Sequence, residues 1–267
     1  MGSLFIVRNK WSMKMKDVIL KCKNINKKYK KKNHDHIAAD HINFDLYQGE
    51  CLAVVGESGC GKSTLAKMIM NLESVDSGQI ILEGRDITNL RGKKLNGVYK
   101  EIQMVFQDAI GSFNPKMTIG DSILEYVCSL CSVSKKNREE KVDELLTLVG
   151  LPVEFKYRYP HQISGGQCQR AAIARALSSH PKVLVFDEAT SALDVSVQAQ
   201  VIQLLKRMRK ELNISYLFIT HDLALVSHFC DRVIVMKSGR IVEEGPVDKV
   251  LTAPQNDYTK LLLSSIL

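Results

Sequence analysis

The stretch that most constrains this chain is Gly56–Thr64, which reads Gly-Glu-Ser-Gly-Cys-Gly-Lys-Ser-Thr. Ahead of it, Leu52–Val55 is a short apolar run with the β-branched content of a buried strand, and Thr64–Met70 after it is made largely of good helix formers. Strand, loop and helix in this order are the context that a phosphate-binding loop requires. A chance glycine-rich turn is the alternative, and the flanking strand and helix argue against it.

The residue types of this loop suit the phosphates of a nucleotide. Its three glycines let the backbone turn tightly and aim its N–H groups at an anion, and the helix that starts near Lys62 adds the positive end of its dipole. Lys62 supplies a charge for the β- and γ-phosphates, and Ser63 supplies a hydroxyl for Mg²⁺. The predicted ATP-binding residues of the loop are Gly56, Glu57, Ser58, Gly59, Cys60, Gly61, Lys62, Ser63 and Thr64.

A second part of a nucleotide site follows the apolar run Val183–Phe186, which leads directly into Asp187 and Glu188. A buried parallel strand delivers such carboxylates to its C-terminal edge. Asp187 can hold Mg²⁺ through water, and Glu188 can take a proton from an attacking water molecule. Two acids after an apolar run are a weak signal alone, and the phosphate loop upstream makes the signal strong.

The composition is that of a globular protein: of 267 residues, 45% are hydrophobic and 25% are charged. No stretch approaches the roughly 18 consecutive apolar residues of a membrane span, and we find no signal peptide, so we expect a cytosolic chain. The net charge of +8 is local, because residues 1–36 hold 11 Lys or Arg residues and only 2 Asp or Glu residues. We expect residues 1–17 to form a loose basic arm, which is either a solvated segment or a footprint for nucleic acid or anionic lipid.

The seven cysteines have no framework spacing, and their odd number suits reduced thiols. Cys128 and Cys131 form a lone C-x-x-C without a second pair nearby, which does not favour a zinc site. Cys60 lies within the phosphate loop, where we expect sensitivity to alkylation rather than catalysis.

The order of elements predicts an α/β core with additions. Strands at Val18–Ile25 and Ile42–Leu46 precede the phosphate loop and indicate an antiparallel sheet appended to the core. The strand signal fades after residue 108, and an amphipathic helix is predicted over Asn137–Gly150, so residues 108–175 are read as a mostly helical insertion. A strand is predicted at 101–107, directly before the insertion. After the insertion the core continues, with strands predicted at 183–188 and 216–219, a hairpin at 233–243, and helices at 198–212, 248–251 and 257–266.

Further short motifs complete the pattern, in a fixed order. They are Tyr29, Gln107, Ile163-Ser164-Gly165-Gly166-Gln167, Ser191-Ala192-Leu193-Asp194 and His221. Together with the loop and the two acids, they resemble the adenine-stacking aromatic, Q-loop, signature motif, D-loop and switch histidine of ATP-binding cassette (ABC) ATPases. The resemblance covers essentially residues 18–267, and the only departure is Ile163 where Leu is more usual.

The resemblance implies a P-loop NTPase (RecA-like) α/β core, an N-terminal antiparallel β-subdomain and the inserted helical subdomain. It implies that Glu188, His221 and Gln107 are catalytic, that Tyr29 stacks on adenine, and that Mg²⁺ is held by Ser63, Gln107 and Asp187. In the family, the turn formed by Ser164, Gly165, Gly166 and Gln167 caps the γ-phosphate of ATP held by the partner subunit, with Asp194 in the D-loop. The expected active unit is therefore a head-to-tail dimer with two sandwiched ATP molecules. Read singly, His221 could be a polar cap of a strand and Tyr29 a core aromatic.

A finer resemblance points to the importers of oligopeptides, dipeptides and nickel. It lies in Phe106-Gln107-Asp108 with Ser112–Pro115, and in Pro254 with Asp257–Leu262. It implies a paralogous or identical ATPase subunit, two membrane permease subunits and, indirectly, an external solute-binding protein, at the cytoplasmic face of the plasma membrane. ATP and Mg²⁺ are the expected cofactors. No iron–sulfur cluster is expected, because no cysteine follows Cys230. The shorter form, together with the motif Ile102–Asp108, leans toward nickel-type members.

Two other classes of ABC protein stay open at this point. A soluble ATPase acting on ribosomes or DNA usually carries two cassettes or a long coiled coil, whereas this chain has one cassette and no heptad run. We therefore expect no nucleic-acid partner. An exporter motor is the other alternative, and the sequence does not name the transported solute.

Overall fold

A computed structural model describes residues 17–30, 35–131, 134–191 and 193–264 of the chain. The predicted basic arm lies outside the described residues, except for Asp17. Elements are numbered in chain order: β1 (Val18–Tyr29), β2 (His36–Tyr47), β3 (Cys51–Val55), α1 (Lys62–Ile69), β4 (Ser77–Leu82), β5 (Arg85–Asp86), α2 (Leu95–Glu101), β6 (Ile102–Val105), α3 (Ile119–Leu130), α4 (Arg138–Leu148), α5 (Gly165–Leu177), β7 (Val183–Asp187), α6 (Val195–Leu212), β8 (Ser215–Ile219), α7 (Leu223–Phe229), β9 (Arg232–Lys237), β10 (Arg240–Pro246), α8 (Val247–Thr252) and α9 (Asp257–Ser264).

The central sheet has the strand order β10-β9-β3-β8-β7-β6 and is parallel except for the β9–β10 hairpin. All residues of β3 and β8 are buried, as expected for parallel strands covered on both faces. Because the carboxyl ends of parallel strands meet at one edge, the segments after β3, β7 and β8 come together there. This sheet confirms the predicted α/β core and places the phosphate loop, the two acids and His221 at the same edge.

The second sheet is antiparallel, with the order β2-β1-β4-β5, and confirms the predicted N-terminal addition. Helix α1 lies between the two sheets, since Leu65 and Ile69 share a buried core with Leu20 of β1 and Val54 of β3. The sheets also meet directly, where the Asp40 N–H donates to the Gly239 carbonyl at 2.8 Å. The helix that starts in the phosphate loop is thus fixed from both sides.

Helices occupy the segment between β6 and β7, and no strand occurs among its described residues. Ile123 of α3, Leu145 of α4 and Ile173 of α5 pack in one core with Phe186 of β7. The helix predicted over 137–150 is α4, whereas the sequence analysis missed α3, as well as the short helices α2 and α7. The subdomain boundaries at 108 and 175 stay a prediction.

Among the described residues, no helix combines the length and the apolar character needed to cross a bilayer.

Candidate active site

The phosphate loop joins β3 to α1 and depends on glycine at two close approaches. Gly56 has φ +149 and Gly61 has φ +111, both in the region that favours glycine. A Cβ at Gly56 would lie 2.2 Å from the Met236 carbonyl oxygen, and one at Gly61 would lie 2.0 Å from the Ala38 carbonyl oxygen. The loop is therefore pressed between β9 of the central sheet and β2 of the antiparallel sheet.

Lys62, the first residue of α1, turns back into this loop. Its Nζ donates to the carbonyl oxygens of Gly56 at 2.8 Å and Glu57 at 2.9 Å, and the residue is only 5% exposed. A buried ammonium held by two backbone carbonyls is a localised positive charge at the centre of the loop. Phosphate oxygens are the natural partners of such a charge.

Ser63 and Asp187 meet beside the loop, with the Ser63 hydroxyl donating to Asp187 Oδ1 at 2.9 Å. Burial raises the pKa of the Asp187 carboxyl; the Ser63 hydrogen bond opposes this shift, and the neighbouring Glu188 adds to it. The described residues contain no group of three or more His, Cys, Asp or Glu side chains placed to hold a metal. One carboxylate and one hydroxyl fit Mg²⁺, which is usually bound by one or two carboxylates together with substrate phosphates.

Glu188 follows β7 with a left-handed backbone, φ +50, which the sequence did not indicate. Such a conformation in a non-glycine residue costs of order 1–3 kcal/mol and clusters at functional sites. Its N–H donates to the Ile219 carbonyl of β8 at 2.9 Å, which holds this geometry against the neighbouring strand. The Glu188 Oε2 atom lies 3.7 Å from Nδ1 of His221, so the predicted base and the predicted switch histidine are brought together.

A cavity of about 290 Å³ contains these groups. Its lining residues come from the end of β3, from the phosphate loop, from the segments that follow β7 and β8, and from α9: Val55, Gly56, Glu57, Ser58, Lys62, Glu188, His221 and Leu262. A site that places a lysine ammonium near a carboxylate and an imidazole can bind a phosphate chain and orient a water molecule for attack on it.

Gln107 lies two residues beyond β6, so the prediction of a strand reaching Gln107 is wrong. The register pairs Ile102–Val105 with Val183–Phe186 and ends there. The Gln107 Nε2 atom donates to the Ser191 hydroxyl at 3.4 Å, and that hydroxyl donates to the Glu188 carbonyl at 2.8 Å. Gln107 is thus linked to the loop after β7 through Ser191, and its assignment as a metal ligand stays a prediction.

The predicted signature residues form the N-terminus of α5. Ser164 caps the helix by accepting from the Gln167 N–H at 3.3 Å, while Gln167 Oε1 accepts from the Ser164 N–H at 2.9 Å. A Cβ at Gly166 would lie 2.3 Å from Val197 of α6, whereas a Cβ at Gly165 would meet no atom within 4 Å. None of these four residues is among those that line the described cavity, so the chain does not bring its signature turn to its own phosphate loop.

Two other predicted positions lie at the margin of the site. Tyr29, at the end of β1, is half-buried; burial raises the pKa of its hydroxyl, and a side-chain hydrogen bond with Thr64 opposes the shift. This contact places Tyr29 at the last residue of the phosphate loop, outside the cavity. Asp194 is exposed before α6, where its carbonyl accepts from the Gln198 N–H at 2.8 Å.

Helix α9 contributes two residues that the sequence analysis did not assign to the site. The Tyr258 hydroxyl accepts from the Glu57 N–H at 3.1 Å, and Leu262 lines the cavity. The sequence predicted the helix, at 257–266, but no local pattern indicates what a helix 201 residues along the chain from the phosphate loop will contact.

Comparison with known proteins gives consistent results. The family described as "ABC transporter" matches residues 39–191, more than half of the chain. The oligopeptide transport ATP-binding protein OppF of Lactococcus lactis subsp. lactis (strain IL1403) is 45% identical over 86% of this chain and 72% of its own length. The glutathione import ATP-binding protein GsiA of Pectobacterium atrosepticum is 45% identical over 86% of this chain and 37% of its own length.

Solved structures with the same fold include two cassettes. A dimeric post-hydrolysis state of the ATP-binding cassette MJ0796, bound to ADP and Pi, superposes with a TM-score of 0.78 at 29% identity, over 86% of this chain and 99% of that one. CbiO1 from Clostridium perfringens, part of the complex cbiONQ, gives a TM-score of 0.79 at 31% identity, over 94% of this chain and 97% of that one.

Proposed function

This chain belongs to the ABC transporter family as an ATP-hydrolysing transport subunit, and from that membership we propose that it powers an importer of peptides, or of nickel or other metal complexes. The observation that carries the proposal is the cavity in which Lys62, Glu188 and His221 meet, beside the pair formed by Ser63 and Asp187. The names of the relatives, which refer to oligopeptide transport and glutathione import, support a peptide cargo. The nickel alternative rests on the finer resemblance alone, which includes the short motif at residues 102–108.

We assign the chemistry of hydrolysis to the residues around the cavity. Lys62 and the N–H groups of the loop bind the phosphates. Ser63 and Asp187 would hold Mg²⁺, which would supply positive charge beside the phosphates. Glu188 accepts the proton of the attacking water. His221, 3.7 Å from that carboxylate, contacts the γ-phosphate and helps to orient the water.

The signature turn supports a sandwich dimer as the active unit. Ser164 and Gly165 are exposed at the N-terminus of α5, and the chain does not bring them to its own cavity. The open space over Gly165 means that internal packing does not require a glycine there, whereas close approach of a phosphate from a second subunit would. The dimeric state named for MJ0796 is consistent with this assembly.

A groove beside Gln107 is the proposed contact with the permeases. It has a volume of about 370 Å³ and runs between α2, β6 and α3, with Leu72, Tyr99, Met104, Phe106, Tyr126 and Leu130 in its lining. Leu72 is 54% exposed and Phe106 is 37% exposed, so the groove presents apolar surface that a membrane partner can cover. Docking there would hold the subunit at the cytoplasmic face of the plasma membrane and place Gln107 between the permease and the catalytic loop.

The test is uptake by the reconstituted transporter. Two permeases and a solute-binding protein of the same importer would be co-reconstituted with this chain in vesicles, and ATP-dependent uptake of labelled peptides and of labelled nickel would be measured. Uptake of one cargo class above that of the Glu188→Gln variant supports the proposal and names the cargo. Uptake of neither class above that variant, with wild-type ATP hydrolysis intact, would overturn the import proposal.

A further inference from the structure

A pair of cysteines lies at the opposite end of β3 from the phosphate loop. Cys51 is the first residue of β3 and Cys230 directly follows α7, and their Sγ atoms are 3.3 Å apart, with the Cys51 thiol donating to the Cys230 sulfur. A disulfide requires an S–S distance of about 2.05 Å, so a movement of roughly an ångström would join the two sulfurs. These two thiols are therefore poised for oxidation to a disulfide.

The two thiols differ in access. Cys51 is completely buried, whereas Cys230 is half-buried and forms part of the wall of an open cavity of about 570 Å³. A reagent from solution therefore has access to Cys230 from this cavity, and Cys51 can react only through Cys230. Cys230 is therefore placed to attack a disulfide from solution, and Cys51 is placed to attack the mixed disulfide that would form on Cys230.

The cavity around Cys230 carries an excess of positive charge. Lys206, Arg209 and Lys210 of α6 line it, and Asp231 is its only acid among the described residues that line it. Asp231 is already paired with Arg209, with 2.9 Å between Nη1 and Oδ2. The two lysines, both exposed, are therefore available to an anionic ligand, and the volume is in the range of small-molecule sites.

We propose that this cavity takes a small anionic disulfide of the oxidised glutathione type and that Cys51 and Cys230 reduce it. The Cys230 thiol loses its proton to water, and the resulting thiolate attacks one sulfur of the ligand, forms a mixed disulfide and releases one small thiolate, which takes up a proton from water. The Cys51 thiolate, after loss of its proton to water, then attacks the Cys230 sulfur, forms the Cys51–Cys230 disulfide and releases the second small thiolate. The protein dithiol loses two electrons, and the small disulfide gains them.

The second step is the slower one. Burial, and then the neighbouring Cys230 sulfur, raise the pKa of the Cys51 thiol well above its usual range, while Arg209 opposes the shift. Little Cys51 thiolate is present at neutral pH, so the mixed disulfide on Cys230 accumulates before it is resolved.

The reaction is tested by mass spectrometry of the full chain treated with oxidised glutathione, in a Cys128→Ser background that removes an exposed thiol. We expect proteolysis without reductant to yield a cross-linked peptide that joins Cys51 to Cys230. Cys51→Ser should stop at a glutathione adduct on Cys230, and Cys230→Ser should give neither the adduct nor the cross-link at this pair. Absence of the cross-linked peptide from the parent protein, or formation of a glutathione adduct on Cys51 in Cys230→Ser, would overturn the proposal.

The role of the positive charge in the cavity is tested by measuring the rate at which small disulfides oxidise the protein. The double variant Lys206→Glu/Lys210→Glu should slow oxidation by anionic oxidised glutathione by on the order of tenfold, without slowing oxidation by the neutral 2-hydroxyethyl disulfide. Lys93→Glu/Lys94→Glu makes the same change of charge at exposed residues outside the cavity and is the matched control. Equal slowing by both double variants, or with both disulfides, would contradict an anion-binding cavity at Cys230.

Discussion

Glu188 combines the two properties expected of a catalytic residue in this chain. Its carboxylate lies 3.7 Å from His221 in the wall of the cavity, and its backbone is held in a left-handed conformation by a hydrogen bond to β8. Backbone strain at a residue that also faces the cavity favours a functional role for Glu188. The sequence predicted the residue but not its backbone geometry, because a φ angle is set by the neighbouring strand.

Replacement of Glu188 by Gln is expected to lower the rate of ATP hydrolysis by about 10²–10⁴-fold while ATP still binds, because the amide keeps the shape of the side chain but cannot accept the proton. Phosphate release and equilibrium binding of labelled ATP measure the two properties separately. Glu140→Gln, at an exposed position on α4, is the matched control. Wild-type turnover in Glu188→Gln would remove Glu188 from the mechanism.

Asp187 gives a pH dependence with a defined sign. Its pKa is raised, so it becomes protonated at a higher pH than an ordinary Asp, and a protonated carboxyl does not hold Mg²⁺. We expect the gain in ATP affinity that Mg²⁺ provides to fall as the pH decreases through this raised pKa. ATP titrations with and without Mg²⁺ across the acid range measure the gain, and Asp187→Asn corrects for titration of the phosphates themselves. A gain with the same pH profile in both proteins would contradict the assignment.

At the scale of elements, α9 acts as a support for the phosphate loop. Tyr258 is 6% exposed, its hydroxyl accepts the Glu57 N–H, and Nζ of Lys237 lies 4.5 Å from the centre of its ring. The N-terminal end of the helix is held by Glu243, whose carboxylate accepts from the N–H groups of Gln255 and Asn256. The helix is thus fixed at its start, and it fixes the loop in turn.

Tyr258→Phe removes the acceptor of the Glu57 N–H and is expected to lower the free energy of unfolding by about 1 kcal/mol. The loop is also expected to lose order, so the KM for ATP should rise severalfold with little change in kcat, because the residue touches no reacting group. Denaturant unfolding and steady-state kinetics measure the two effects. Tyr157→Phe, at a residue that is 72% exposed, is the control. A change in kcat with constant KM would show that Tyr258 acts otherwise.

The two shortest helices that the sequence did not predict were missed for the same physical reason. Helices α2 and α7 have seven residues each, too few to establish a helical period. Helix α3 was missed although Thr118 and Asp121 form a capping box at its start, a signal that the sequence does carry. Helix α4 was predicted because its buried residues Val142, Leu145 and Leu146 show the period clearly.

At the scale of the whole molecule, the motifs and the α/β class were predictable, because each motif is a local pattern with a physical requirement. The order of strands was not, since β3 pairs with β8 and β9, which lie more than 150 residues further along the chain. Pairing over such distances depends on which apolar faces fit together, and a single sequence does not reveal that. The same limit applies to the contact between α9 and the phosphate loop.

In a sandwich dimer, two inactive variants that are defective in different halves of the shared site should restore activity to each other. Lys62→Ala should be inactive because its phosphate loop lacks the ammonium, and Ser164→Arg should be inactive because its signature turn is blocked. A mixture of the two should regain hydrolysis, since a mixed dimer has one site with an intact loop from one chain and an intact signature turn from the other. Phosphate release by each variant and by the mixture measures this.

The control for the mixture is each variant combined with itself at the same total concentration. Full activity of Ser164→Arg alone would show that the turn takes no part in hydrolysis. Failure of the mixture to hydrolyse ATP, with mixed dimers detected by native mass spectrometry, would contradict a site shared between subunits.

The cavity that holds Glu188 and His221 has apolar lining outside the phosphate loop, at Val55 of β3 and at Leu262 of α9. Phosphate loops are chemically much alike, so inhibitors that mimic nucleotides discriminate poorly between cassettes. A phosphate mimic extended by a small alkyl group toward Leu262 would gain a contact that a cassette without such a helix does not offer. Selective ligands for this chain are therefore better designed against the C-terminal helix than against the nucleotide, and the loss of affinity in Leu262→Ala measures how much of that selectivity the helix provides.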